Sequence, residues 1–334
     1  MSRSDTRRVV VVTGASSGVG RAIALAFAAR GDSVGLVARA AESLDAARAE
    51  TERAGGTALA LPADVADAAA VEDAAAIAEE RLGPIDVWVN CAMVSVFAPA
   101  WTYTAEEVER ATAVTYLGAV HGTLAALRRM RPRGRGTIVQ VGSALAYRAI
   151  PLQAAYCGAK HALRGFTDSV RCDLRHERSA IHITTVHLPA ANTPQFDQVR
   201  NRLPGRPRPV APVYQPEVAA RAVLWASEHR RRELLVGYPT VQAILASKLA
   251  PGIADRYLGR TGWAAQQTDE PEDPDRPDNL DAPFPSPLAV HGRFDAEARA
   301  TSAHLWVTMR RRWLAGAGVG LGVASVALRR RLRA

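Results

Sequence analysis

At 334 residues, with 48% apolar and 22% charged residues, the chain has an ordinary globular composition and is long enough for one large domain, or one domain with an extension. Cys91, Cys157 and Cys172 have neither disulfide-scaffold nor metal-ligand spacing, and "MSRSDTRR" runs into "VVVV" with no room for a signal peptide; both fit a reduced, cytoplasmic protein without a metal. The net charge of +9 belongs to the tail: Ser302 to Ala334 carry seven arginines and no acids, leaving about +2 elsewhere, which argues against nucleic-acid binding by the main body.

Short apolar runs then alternate with longer amphipathic stretches. "RVVVVTG" reads as a strand and "GRAIALAFAARG" as a helix ended by Gly31. "SVGLVA", "TALALPAD" and "IDVWVN" are the next strands, separated by helices "AESLDAARAETERAG" and "DAAAVEDAAAIAEERLG". Thr104 and Glu107 have the spacing of a capping box, opening a long helix to about Arg131. "GTIVQVGS" is a fifth strand, residues 154–177 a helix, and "IHITTVHLP" a sixth strand. "PEVAARAVLWASEH" and "ELLVG" add a last helix and strand. This alternation predicts an α/β fold: a doubly wound parallel sheet of Rossmann type, in three layers, with helices on both faces.

After about residue 240 the pattern fades. Residues 264–292 hold six prolines and seven acids, a composition that buries little and reads as a linker or surface wrap. The domain expectation is therefore a single unit over 7–245 carrying both cofactor and substrate sites. Beyond it come an extension over 246–301, mostly irregular, and a basic tail over 302–334.

Directly after the first strand stands "TGASSGVG", with Gly14, Gly18 and Gly20. This is not the commoner G-x-G-x-x-G spacing, but its place is the same: strand, tight turn, helix start. Glycines there let backbone approach a pyrophosphate, and the free N–H groups of Ser16, Ser17, Gly18 and Val19 open the helix toward an anion. The second strand ends "LVARA". Ala38 leaves no carboxylate to repel a ribose 2′-phosphate and Arg39 can pair with one, so NADP(H) is expected over NAD(H); a solvated surface arginine is the alternative. Asp64 and Val65 end the third strand and Asn90 the fourth, at the carboxyl edge where open parallel sheets bind ligands. Asp64 also suits an N-cap of the next helix.

Tyr156 and Lys160, four apart, share one helix face, and Ser143 ends the fifth strand. Such a pair alone arises often by chance. Here 40 of 42 basic residues are Arg and only Lys160 and Lys248 are Lys, so position 160 has kept a compact ammonium in an arginine-rich chain. An ammonium lowers the tyrosine pKa from about 10, and Ser143 can hold a substrate oxygen, together shuttling a proton while a nicotinamide moves hydride.

With "TGASSGVG", "ADV" at 63–65, Ser143 and "YCGAK" at 156–160 in place, residues 7–240 resemble the short-chain dehydrogenase/reductase family. The resemblance implies Tyr156 as catalytic acid/base, Ser143 orienting substrate, Lys160 assisting, Pro189 and Thr193 at the nicotinamide, and a homo-dimer or homo-tetramer on the long helices. Three positions depart from the family pattern. "NCAM" at 90–93 loses a Gly and an Asn, Pro189-Ala190 replaces Pro-Gly, and Thr115 stands where many members carry an asparagine that helps hold a relay water.

In the tail, "WLAGAGVGLGVASVAL" (313–328) is uncharged and apolar between arginine clusters. As a helix it spans about 24 Å, short of a bilayer core of about 30 Å. A membrane anchor, a packing helix and a disordered segment all stay open. The expected activity is that of an NADP(H)-dependent alcohol dehydrogenase or carbonyl reductase acting on a small-molecule alcohol or carbonyl substrate, lipophilic if the tail meets a membrane, with its lining drawn from residues 144–153 and 192–212. The alternative is an NADP-binding regulator or membrane scaffold with little catalysis.

Overall fold

A computed structural model describes residues 7–285 and 288–311. Seven strands make the central sheet: β1 (Val9–Thr13), β2 (Ser33–Ala38), β3 (Thr57–Pro62), β4 (Val87–Asn90), β5 (Thr137–Ser143), β6 (His182–Leu188) and β7 (Glu233–Leu235). All pair in parallel, in the order β7-β6-β5-β4-β1-β2-β3. The strand order reverses between β1 and β4, the point at which such sheets open a crevice. β1, β2 and β4 are buried along their whole length. Their continuous apolar runs follow from helices covering both faces.

On those faces lie α1 (Gly18–Ala28), α2 (Ala41–Arg53), α3 (Ala68–Leu82), α4 (Ala105–Thr112), α5 (Gly118–Met130), α6 (Ala154–His176) and α7 (Pro216–Glu228). One apolar cluster packs α1 and α7 on the sheet through Phe27, Leu36 and Val223; the other packs α3 and α5 through Trp88, Ala75 and Met130. The α/β, doubly wound, three-layer architecture expected from the sequence is the one observed.

Two differences arise in the helices. The capping box of Thr104 and Glu107 forms, with the Thr104 hydroxyl accepting from Glu107 N at 3.3 Å and Glu107 accepting from Thr104 N at 3.1 Å. The long helix it opens is not continuous, however: a π-helical turn over Ala113–Leu117 separates α4 from α5. Thr115 in that turn gives and takes hydrogen bonds with the Val94 backbone, and Gly118 lets the helix lie against Val65, where a Cβ would come within 2.5 Å. Neither contact leaves a mark in hydrophobic periodicity.

Beyond residue 237 the fading pattern conceals α8 (Tyr238–Leu249) and α9 (Pro251–Thr261). α8 buries only Thr240 and Ile244 and carries little amphipathic pattern, while α9 is amphipathic but buries no residue. The acidic, proline-rich stretch is a surface wrap: Gln267–Pro271 pairs antiparallel with Gly205–Pro207, and Leu280 and Phe294 are buried against the main body. Among the described residues no helix is long and apolar enough to cross a membrane. The 313–328 segment lies outside the described residues.

Candidate functional site

The carboxyl edge of the sheet opens into one cavity of about 790 Å3. Gly14, Ser16, Ser17, Gly18, Val19 and Gly20 line it at one end, and Ser143, Tyr156 and Lys160 further along. Two glycines are demanded by geometry. Gly14 has φ +71° and its missing Cβ would sit 2.8 Å from Ala92 Cα. At Gly20 a Cβ would lie 2.0 Å from Gly14 O, so even alanine would push the turn open. Thr13 ties the turn to β4, its hydroxyl accepting from Cys91 N at 3.1 Å and Ala92 N at 3.2 Å. The two strands flanking the reversal point are thereby held in register beneath the cavity.

Arg39 and Asp64 lie at the adjoining end. Arg39 donates to Asn279 O at 2.5 Å and Leu280 O at 3.3 Å. Burial and the neighbouring Arg110 lower its pKa. Asp64 is not the helix N-cap: Asp67 fills that role, accepting from Ala69 N and Ala70 N. Asp64 instead pairs with Arg110 at 2.6 Å and accepts from Ala66 N. Burial opposes its ionisation, but those two hydrogen bonds and the charge of Arg110 prevail and hold its pKa below the usual range. Val65 lines the cavity, and its carbonyl meets His121 Nδ1 at 2.9 Å.

Asn90 departs from its expected place. Its side chain is buried away from the cavity, where it accepts from Trp88 Nε1 at 2.8 Å and donates to Ala119 O, Thr123 Oγ1 and Gln140 Oε1. A buried indole N–H requires an acceptor, and Asn90 is the one supplied. Gly122 makes the room, since a Cβ there would fall 2.2 Å from Asn90 Oδ1. Thr115 departs similarly. It is wholly buried, its hydroxyl accepting from Val94 N at 3.1 Å and donating to Val94 O at 2.9 Å, so that hydroxyl fastens a turn and does not face the cavity.

The Ser143, Tyr156 and Lys160 side chains do converge. Ser143 ends β5, with its Oγ accepting from Leu145 N at 3.1 Å. α6 carries the other two on one face, with Lys160 Nζ 5.6 Å from the Tyr156 ring centroid. Lys160 is 4% exposed and donates to Val141 O at 2.9 Å. Burial pulls its pKa down to about 8. Burial pushes the Tyr156 phenol up, and the nearby Ser143 hydroxyl only partly opposes this. The protein alone therefore keeps this phenol protonated, contrary to the expectation that the ammonium would dominate. Pro189 and Thr193, after β6, line the cavity opposite.

The stretches expected to line the substrate side, 144–153 and 192–212, supply Ile150, Phe196 and Val210 of the far wall. Tyr257 and Leu258 also line it, with Arg148 at its edge in an ion pair with Asp255. Those two, Tyr257 and Leu258, belong to α9, which follows the domain expected to carry the substrate site. Residues of the extension, Asn279, Pro283, Phe284 and Leu288, also reach the cavity, and nothing in their composition marks them as site residues.

A family model described as short chain dehydrogenase matches residues 8–203. The chain is 30% identical over 328 residues to the uncharacterized oxidoreductase YxnA of Bacillus subtilis, spanning 98% of this chain and 91% of that protein. It is 30% identical over 223 residues to 3-ketodihydrosphingosine reductase of Bos taurus, covering 64% and 67% of the two chains. It is 33% identical over 210 residues to levodione reductase of Leifsonia aquatica, covering 62% and 78%. Sheet order, glycine turn and these matches agree, and the chain belongs to the short-chain dehydrogenase family of NAD(P)-dependent oxidoreductases.

Proposed function

We propose that this chain is an NADP(H)-dependent oxidoreductase interconverting a lipophilic alcohol and its ketone or aldehyde, with Tyr156 as general acid/base. The observation that carries it is the meeting of Ser143, Tyr156 and Lys160 in the same cavity as the glycine turn and Arg39. When bound there, the nicotinamide supplies or accepts hydride at the carbonyl carbon. In reduction, the Tyr156 hydroxyl gives its proton to the carbonyl oxygen while the Ser143 hydroxyl donates a hydrogen bond to that oxygen. Lys160 keeps its charge next to the resulting phenolate, and has donors beyond the one given to Val141 O for a ribose hydroxyl. The glycine turn would hold the pyrophosphate and Thr193 beside it the nicotinamide amide, with Asp64 and Val65 by the adenine and Pro189 by the nicotinamide.

NADP(H) preference rests on Arg39. Its guanidinium donates to neutral carbonyls, while the two carboxylates that act on its charge, Asp64 and Asp281, are paired with Arg110 and Arg200. Arg39→Ala is expected to lower kcat/KM with NADPH by about 10–100-fold and leave NADH within a few-fold. Initial rates with both cofactors measure this, and equal losses would remove the assignment.

A lipophilic substrate suits the far wall and the open face beside it. Leu245, Leu249, Ile253 and Tyr257 on α8 and α9 are 51–80% exposed, and Tyr257 among them lines the cavity. The Bos taurus relative's name is that of a keto-group reductase. Turnover across ketones and aldehydes of increasing chain length tests the reading, with kcat/KM expected to rise with apolar length. Exposed Val108, Leu117 and Leu124 along α4 and α5 support a homo-oligomer, for which light scattering gives the mass.

A second reading, a dinucleotide-binding scaffold with little turnover, draws on Thr115, whose hydroxyl is spent on Val94. The same panel separates the two, because a scaffold binds NADPH and consumes none.

A further inference from the structure

The acidic extension does not simply cover surface; its backbone runs along the groove that the dinucleotide reading assigns to cofactor. At one end Arg200 pairs with Asp278 at 2.8 Å and Asp281 at 2.7 Å, and Leu280 between them is fully buried. The carbonyls of Asn279 and Leu280 accept from Arg39, and Arg110 Nε also donates to Leu280 O at 3.0 Å. Past Pro283 and Phe284, which line the cavity, Leu288 O accepts from Arg21 and Ala289 O accepts from Gly18 N at 2.9 Å. Gly292 then packs on Thr193 so closely that a Cβ would lie 2.3 Å from Thr193 O. The far end is fixed by Phe294 N donating to Asn192 Oδ1 at 3.0 Å and by Asn192 Nδ2 donating to Asp295 at 2.8 Å. The segment thus touches the three places assigned to 2′-phosphate, pyrophosphate and nicotinamide.

We propose that residues 278–285 and 288–295 form a clasp over the dinucleotide groove, slowing cofactor release and, through the Asn279 and Leu280 carbonyls, holding Arg39 in the pose that selects a 2′-phosphate. This rests on the NADP(H) reading above. Two neutral oxygens fix the guanidinium without cancelling its charge, so the side-chain entropy of a long arginine is spent before ligand arrives. Its described residues contain no helix and are pinned to Arg200 at one end and Asn192 at the other, a form that opens locally without unfolding the sheet. The clasp lies beyond residues 8–203, the part matched by the family model, whereas the match to the Bacillus subtilis relative spans 98% of the chain.

The test is release of NADPH from the full chain, followed by its fluorescence after mixing with excess unlabelled NADP+. Gly292→Ala forces the clasp off Thr193, and the paired change Asp278→Asn with Asp281→Asn weakens its anchor on Arg200. Release is expected to quicken by about 10-fold in Gly292→Ala. In the Asp pair the preference for NADPH over NADH falls about 10-fold, with NADH affinity held. Release at the wild-type rate in both variants overturns the proposal. So does tighter NADPH binding in either, which would mark the segment as a block on the groove. If Gly292→Ala does not fold, the Asp pair alone decides. Failure of wild-type protein to bind either dinucleotide, or an Arg39→Ala variant that keeps its NADPH preference, would instead break the underlying cofactor reading.

Discussion

Tyr156→Phe is expected to lower NADPH-dependent turnover by about 10³-fold while NADPH still binds. The change removes one oxygen and keeps the ring under Lys160, so α6 and the cavity wall stay as they are. What is lost is the proton at the carbonyl oxygen, with only the Ser143 hydrogen bond left to stabilise negative charge there. Because burial raises the phenol pKa, wild-type tyrosine stays protonated throughout the neutral range, and reduction does not lose its acid there. The alkaline limb instead belongs to Lys160, which gives up its proton as pH rises through about 8. A pH–rate profile of reduction is thus expected to be flat near neutrality and to fall above about pH 8. Full activity in Tyr156→Phe would sink the mechanism, and a profile unbroken to pH 10 would remove Lys160 from it.

How much of this was legible from residues alone divides along physical lines. The sheet was legible because β1, β2 and β4 are buried on both faces and spell continuous apolar runs. The glycine turn was legible because Gly14 and Gly20 sit where backbone touches backbone. Lys160 stood out against 40 arginines. Contacts between distant segments left no local trace. Nothing about "ADV" says that Asp64 pairs with Arg110, 46 residues away. Nothing in "NCAM" says that Asn90 satisfies the Trp88 indole. Thr115 was recognisable as a substitution, yet only its two bonds to Val94 show that it closes a turn. The acidic stretch was legible as a wrap but not as a wall, since its contacts with Arg39 and Gly18 are made by backbone carbonyls, which every residue has. The tail remains as the sequence reading left it.

Lys160→Met separates the lysine's chemical role from its structural one. Turnover is expected to fall by about 10²-fold, because the phenolate loses its neighbouring charge and the ribose a donor. Stability is expected to move the other way. Lys160 is 4% exposed, and its pKa in the fold, about 8, lies below its ordinary value of 10.5, so the folded state resists the ammonium. The sign follows from proton linkage. Below about pH 8 the lysine is charged whether folded or unfolded, and the whole cost of burying that charge is present. Between about pH 8 and 10.5 the folded protein sheds the proton first, and the cost shrinks to nothing. Methionine fills similar space without charge, and the lost bond to Val141 O offsets part of the gain. A net stabilisation of about 1–2 kcal/mol at pH 7 is therefore expected. Thermal melts of both proteins at pH 7 and pH 10 measure it: the variant should melt higher at pH 7, and its margin should narrow at pH 10. A variant less stable by the same amount at both values would make Lys160 a packing residue of α6. A gain in stability bought with lost turnover is the pattern of a charge retained for chemistry at the expense of the fold.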